Sequence, residues 1–421
     1  MRKLERRFPN ELAVVGVHSA KFDAERATEH VLSAVRRYRV EHPVVNDARF
    51  EIWQSYAVRA WPTLMFIDPT GRVIGKHEGE FDADVVTGII EQMVDEFRSR
   101  GLLNSTPMPA LASDTEAAML RYPGKILVDE PTGRIFISDS NNDRIVVSDL
   151  AGNVLTVTGG AETGLTDGGY DVSEFNQPQG MELTGEILYV ADTGNHAIRR
   201  VDLDSQVVST VAGPDEGLRS PWDLTLHNNE LYAAMAGSHQ LWRIDPDSGA
   251  AWPYAGTGGE SIQDGPLGSA LLAQPSGIVS YRDRLYFVDS ETSSVRFAAG
   301  GEIGTVVGTG LFDFGDVDGE GDAVRLQHPI GMAAGEAGLF IVDSYNHKIK
   351  SVGPARRAVA AVAGDGVSGH VDGPLETARF SEPSGLSVGS GRIWVADTNN
   401  HAVRVIDLDR RTVDTLEVQG L

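Results

Sequence analysis

Histidine is the first residue type here whose placement points to chemistry. His196, His347 and His401 each follow an asparagine, and His239 follows Ser238 at an equivalent place. Imidazoles gathered on one rim make a metal-ligand set, so His196, His347 and His401 are candidate metal ligands. The competing expectation is structural. A site needs convergence on one point, whereas a pair that recurs in every unit is a folding rule, here hydrogen bonds to the turn backbone. Aspartate precedes a cation by seven residues at four places: Asp192 and Arg199, Asp289 and Arg296, Asp343 and Lys350, Asp397 and Arg404. A four-residue turn between two strands would put both side chains on one sheet face, which predicts a structural ion pair in each unit. The alternative is a ring of cations that recognises an anion.

A third constellation is Asp316 to Asp322 (DVDGEGD), which has the acid spacing of a calcium loop. Its twelfth position is Gln327, which cannot supply a bidentate carboxylate. Asp-Gly also recurs at 167–168, 264–265 and 372–373, so the expectation is an inter-unit turn. No Gly-x-Ser-x-Gly elbow, Walker loop or His-Glu-x-x-His motif is present. There are no cysteines, which removes disulfides, thiol catalysis and thiolate metal sites.

These residues are positioned by a repeat. Prolines at 123, 178, 221, 275, 329 and 383 are spaced 55, 43, 54, 54 and 54 apart. An apolar residue follows each by three positions (Ile126, Met181, Leu224, Ile278, Met332, Leu386). An aromatic occupies one equivalent position throughout: Phe136, Tyr189, Tyr232, Tyr286, Phe340, Trp394. Unit three carries Met235 and Trp242 where other units carry the aspartate and the cation. Each unit reads as four short strands, and six such sheets arranged radially bury one another's faces. Residues 123–421 therefore predict a closed six-bladed β-propeller, with long acidic loops on one face.

Residues 1–104 have another character. Leu12 to His18 and Thr63 to Asp68 are apolar runs of strand length, and Ala24 to Val40 and Val85 to Phe97 have helical spacing. Strands alternating with helices read as α/β. Residues 105–122 are the linker and approach segment.

The units Tyr189 to Arg199 (YVADTGNHAIR) and Trp394 to Arg404 (WVADTNNHAVR) resemble NHL repeats. The first domain resembles a thioredoxin-like fold through Ala60 to Asp68 (AWPTLMFID), followed by Gly71 and Val73. That resemblance implies a cis-proline at Pro62, and it implies a Cys-x-x-Cys pair that this chain lacks. The domain is expected to be truncated at its N-terminus, and the fold class to be mostly β: a six-bladed NHL propeller preceded by an incomplete α/β thioredoxin-like domain.

The function expected is a non-catalytic interaction or ligand-binding scaffold, with no cofactor. Its partner would be a protein or small-molecule ligand at the propeller face or channel. Two other classes compete: a thiol–disulfide oxidoreductase whose catalytic segment is missing, and a metal-dependent propeller hydrolase or lyase. The net charge of −24 argues against nucleic acid. No apolar run reaches 18 residues and no signal peptide is apparent, so a monomer in the cytoplasm, away from membranes, is expected.

Overall fold

The computed structural model describes residues 1–79, 81, 83–106, 118–336 and 338–421. They fall into two compact units, Met1–Glu116 and Ala117–Leu421. Most of the expected linker, at 107–117, lies outside the described residues.

In the first unit α1 (Arg2–Arg7), β1 (Gly16–His18), α2 (Thr28–Arg37), β2 (Val44–Asn46), α3 (Glu51–Ser55), β3 (Thr63–Ile67), β4 (Val73–Glu78) and α4 (Ala83–Ser99) follow in order. β1 and β2 pair in parallel, and β3 and β4 form an antiparallel hairpin. The hairpin turns because Asp68 Oδ1 accepts the N–H groups of Thr70 (2.8 Å) and Arg72 (3.1 Å), and Gly71 takes φ +84°. α4 buries Val86, Ile90 and Val94 against Leu4 and Phe8. Two expected elements are shorter than their apolar runs. Only Gly16–His18 of the first run forms a strand, because the Leu12 N–H turns back to the Phe8 carbonyl (3.1 Å). The helix expected from Ala24 is a 3-10 turn, Asp23–Arg26, then an extended Ala27, and only then α2.

The second unit is a ring of six antiparallel sheets in chain order, at 126–159, 178–212, 221–255, 275–307, 329–363 and 385–416. Each sheet is a blade whose first strand lies innermost. The inner strands touch in cyclic order, the sixth returning to the first. Six hydrophobic clusters fill the six spaces between neighbouring blades. The repeated aromatic is buried in every blade and always faces the next one: Phe136 packs with Met181 and Leu188, and Trp394 of the last blade packs with Ile126 and Ile135 of the first. A blade with two apolar faces cannot stand alone, and burying about 25 cal/mol per Å² on both faces stabilises the closed ring.

Four strands per blade is corrected to five in blades two, four, five and six. The Asp-Gly segments expected as turns are two-residue outer strands, Gly168–Gly169, Gly265–Pro266, Gly319–Glu320 and Gly373–Pro374. Each pairs with the fourth strand of its blade and covers an edge that would otherwise be open. Blade three keeps four strands because its incoming loop, 213–220, is too short to reach. Blade one is covered differently: the Val154 N–H donates to Gln419 O and the Gln419 N–H to Gly152 O, both at 2.9 Å, so the chain's last residues seal the ring.

Candidate functional site

Asp192, Asp289, Asp343 and Asp397 end the second strands of their blades, and a 3-10 turn returns the chain to the strand that carries the cation. Arg199, Arg296, Lys350 and Arg404 lie 3.0, 2.9, 2.9 and 2.8 Å from those carboxylates, and all eight side chains are fully buried. The other carboxylate oxygen accepts the N–H of Asn176, Ala273, Gln327 or Ser381, two residues before the blade's own proline. So each aspartate fixes where its blade begins.

A second carboxylate reaches every one of these cations, and the sequence reading missed it. Asp167, Asp264 and Asp372, from the Asp-Gly segments, bind Arg199, Arg296 and Arg404 at 2.8, 3.0 and 2.5 Å. Arginine has donors to spare, and those of Arg199 reach the carbonyls of Glu174 (2.6 Å) and Thr166 (3.0 Å). Lysine has only three, and Lys350 spends them on Asp343, Asp316 (2.6 Å) and Asp318 (3.3 Å). Of the acids with calcium-loop spacing, Asp316 and Asp318 are therefore already engaged by lysine, and Asp322 pairs with Arg357. Each of these four cations is thus paired with carboxylates, and among the described residues none of the four is left over for an anion. Blade three fills the same place with Met235 and Trp242, both buried in its core cluster.

His196, His239, His347 and His401 end the 3-10 turns in the left-handed conformation, at φ 55°, 52°, 54° and 55°. They lie in four different blades, and among the described residues no three potential ligands gather to hold a metal. The backbone N–H groups of His196, His347 and His401 close their own turns, but the imidazoles reach to the next blade. Each Nδ1 accepts an N–H from the start of the next blade: Ser220 to His196 (3.0 Å), Gln274 to His239 (3.1 Å), Glu382 to His347 (3.1 Å) and Tyr122 to His401 (3.0 Å). At the other two junctions Asp143 Oδ1 accepts the Gln177 N–H (2.9 Å) and Ser293 Oγ accepts the His328 N–H (3.2 Å). The asparagines act within the blade: Asn195 donates to Asp192 (2.7 Å) and to the Gly164 carbonyl (2.6 Å).

With the repeated polar residues satisfied, the residues that break the repeat stand out. Two positions after the blade proline, blades two, four, five and six have glycine: Gly180, Gly277, Gly331, Gly385. A Cβ on Gly277 would come within 2.7 Å of Ile330 O, so the inner strands meet backbone to backbone. Blades one and three carry Lys125 and Asp223 there. Lys125 Nζ lies 2.9 Å from Asp223 Oδ2 and donates to the Ile330 carbonyl at 3.2 Å. This ammonium joins blades one, three and five and so crosses the propeller axis, with both side chains buried. Two positions further along blade two, Glu182 Oε1 accepts the Leu226 N–H of blade three (3.1 Å). Thr225 and Ser387 take the same contact at their own junctions. Among the described residues no cation pairs with Glu182. Burial pushes its carboxyl up to about 7, and the nearby Asp223 adds to this against the pull of the Leu226 N–H.

A folded-state value above the ordinary 4.5 means that the folded chain holds this proton more tightly. That contribution is complete below pH 4.5 and is lost as the pH rises through 7. Glu182→Gln keeps the neutral shape, so it should match the wild type at pH 4.5 and exceed it at pH 8 by about 2 kcal/mol in urea unfolding. An equal offset at both pH values would show that folding leaves the Glu182 carboxyl at its ordinary value.

In the first unit the Trp61–Pro62 peptide is cis, and Trp61 Nε1 donates to Ser19 O (2.7 Å). Among the described residues no helix is long and apolar enough to cross a membrane.

Residues 380–406 match the family described as NHL repeat, and residues 136–274 match one described as a repeat of unknown function. Over 99% of its length the chain is 38% identical to Protein SUPPRESSOR OF QUENCHING 1, chloroplastic, of Arabidopsis thaliana, covering 44% of that protein. It is 34% identical over 99% of its length to NHL repeat-containing protein 2 of Gallus gallus, covering 65% of it. The chain thus spans less than two thirds of the length of these relatives. Among solved structures, streptogramin B lyase superposes with a TM-score of 0.48 at 12% identity, over 72% of this chain and 86% of that one.

Proposed function

The chain is an NHL-repeat propeller protein, and on that premise we propose that it is a non-catalytic scaffold whose inter-blade loop face receives a protein partner. The observation that carries this reading is the saturation of the repeated chemistry. The buried cations have carboxylates, the histidines hold blade junctions, and Lys125 crosses the axis where a small ligand would have entered the channel. What stays open is the loop face. Its segments 160–177, 213–220, 256–274, 308–328 and 364–382 hold seventeen carboxylates, three arginines and no lysine. Exposed Leu165, Phe312, Val317, Val367 and Val371 stand on the same loops. Apolar side chains within an acidic surround suit a basic protein surface and repel nucleic acid.

The first unit we read as a thioredoxin-like remnant; its parallel β1–β2 pair, β3–β4 hairpin and closing α4 support this. With no cysteine, these 421 residues supply no thiolate for disulfide exchange. The compartment of this reading is the cytoplasm, although the plant relative is designated chloroplastic.

The test is cross-linking of the full chain in its native extract, with the linked residues mapped. Links from partner lysines should concentrate on the five loop segments and vanish when Glu162, Asp313 and Asp322 are changed to lysine. Links spread evenly over the propeller would overturn the scaffold face. So would metal-dependent turnover of an ester or lactone, and a salt-dependent shift of an RNA probe at micromolar protein would overturn the exclusion of nucleic acid.

A further inference from the structure

The six blade junctions are built to one plan, but with acceptors of different chemistry. At every junction the residue before the blade proline takes a positive φ, between 41° and 62°, at Tyr122, Gln177, Ser220, Gln274, His328 and Glu382. That conformation aims its N–H back at the preceding blade. The acceptor there ends a 3-10 turn and is itself left-handed. Four acceptors are imidazole nitrogens, one is the Asp143 carboxylate and one is the Ser293 hydroxyl. An imidazole accepts at Nδ1 only while neutral, because the imidazolium carries hydrogen on both nitrogens. Protonation would set a ring N–H against a backbone N–H, and the contact would be lost. Asp143 and Ser293 keep their lone pairs at any pH where the imidazoles charge.

We propose that four of the six blade junctions form an acid-sensitive catch: protonation of His196, His239, His347 and His401 loosens the ring at those junctions and leaves the Asp143 and Ser293 junctions held. The His401 junction is the one that closes the circle, joining blade six to blade one. A hydroxyl contact supports two of the four titrating junctions: Thr193 donates to Pro221 O (2.5 Å) beside His196, and Thr398 to Pro123 O (2.8 Å) beside His401. Beside His239 the equivalent residue is Ala236, which has no hydroxyl, and beside His347 the Ser344 Oγ makes no hydrogen bond. Those two junctions therefore rest more heavily on their imidazoles.

The charged groups on the elements that meet at these junctions are few. The incoming segments bring Arg121, Arg219, Arg379 and Glu382, and the turns bring Asp192, Asp343 and Asp397, each committed to its own blade. Asp289 lies near His239 but is paired with Arg296. At His196 burial, and then the Arg219 charge, hold the imidazole below its ordinary 6.5. At His401 the Tyr122 ring packs edge-on, 4.3 Å between centroids. At His196 a folded-state value below the unfolded one means that protons favour the loosened form, so this junction is closed above pH 6.5 and opens as the pH falls; at the other three the same Nδ1 geometry carries the proposal.

The experiment is hydrogen exchange on the full chain, read at single amides at pH 7.5 and pH 5 and corrected for the intrinsic rate at each pH. The amides of Tyr122, Ser220, Gln274 and Glu382 should become about fivefold less protected at pH 5, the effect of losing one hydrogen bond, while Gln177 stays unchanged. Replacing all four histidines by asparagine, which tolerates the left-handed conformation and offers a non-titrating oxygen, should abolish the difference. If that variant does not fold, His401→Asn alone should silence the Tyr122 response and leave the other three. Equal protection at both pH values, or a Gln177 response as large as the others, overturns the proposal.

Discussion

Asp397→Ala will lower the stability of the propeller by about 3–5 kcal/mol, because it strips the inner carboxylate from a guanidinium with no access to water. Arg404 would keep Asp372 and the carbonyls of Arg379 (2.9 Å) and Val371 (2.9 Å), but its buried charge would lose its one fully buried counter-ion. The same change frees the Ser381 N–H and leaves the Asn400 amide only the Gly369 carbonyl; both donate to Asp397 at 2.8 Å. An unmade buried hydrogen bond adds its own cost, typically about 1–3 kcal/mol. Asp372→Ala should cost far less, about 1 kcal/mol, since that carboxylate is half exposed and solvent replaces it. Thermal unfolding of the two variants beside the wild type decides the matter. A normal midpoint for Asp397→Ala together with lost partner binding would turn these pairs from frame into site.

The second large effect belongs to the axis. Lys125→Met should destabilise by about 3–5 kcal/mol, since it leaves Asp223 buried and charged with only backbone N–H groups for company. Burial already pushes the Asp223 carboxyl up, and Lys125 is its main opposing influence. Combining Lys125→Met with Asp223→Leu removes both charges and should recover most of the loss, so the two changes will be strongly non-additive in urea unfolding at pH 7. If the double variant simply sums the single losses, the ammonium and carboxylate do not act as a pair across the axis.

What the sequence determined is what recurs at fixed spacing. A blade is a local object. Its strands, its turns and the Asp–cation pair seven residues apart are set by the two-residue alternation of a strand and the length of one turn, so Asp192 and Arg199 could be paired from their numbers alone. Six registered copies also fixed the blade count, because neighbouring apolar faces need one another. Tertiary structure decided whatever is joined between blades. Asp167 meets Arg199 across 32 residues, Ser220 meets His196 across 24, and Lys125 meets Asp223 across 98. No strand or turn period links such pairs; ring closure brings them together, by stacking each blade on the next and pointing all six inner strands at one axis. The histidines were therefore legible as a repeat, but their partners were not. The axial pair left one trace in the sequence: charged Lys125 and Asp223 stand where four blades have glycine, and only a closed ring makes those two departures answer each other.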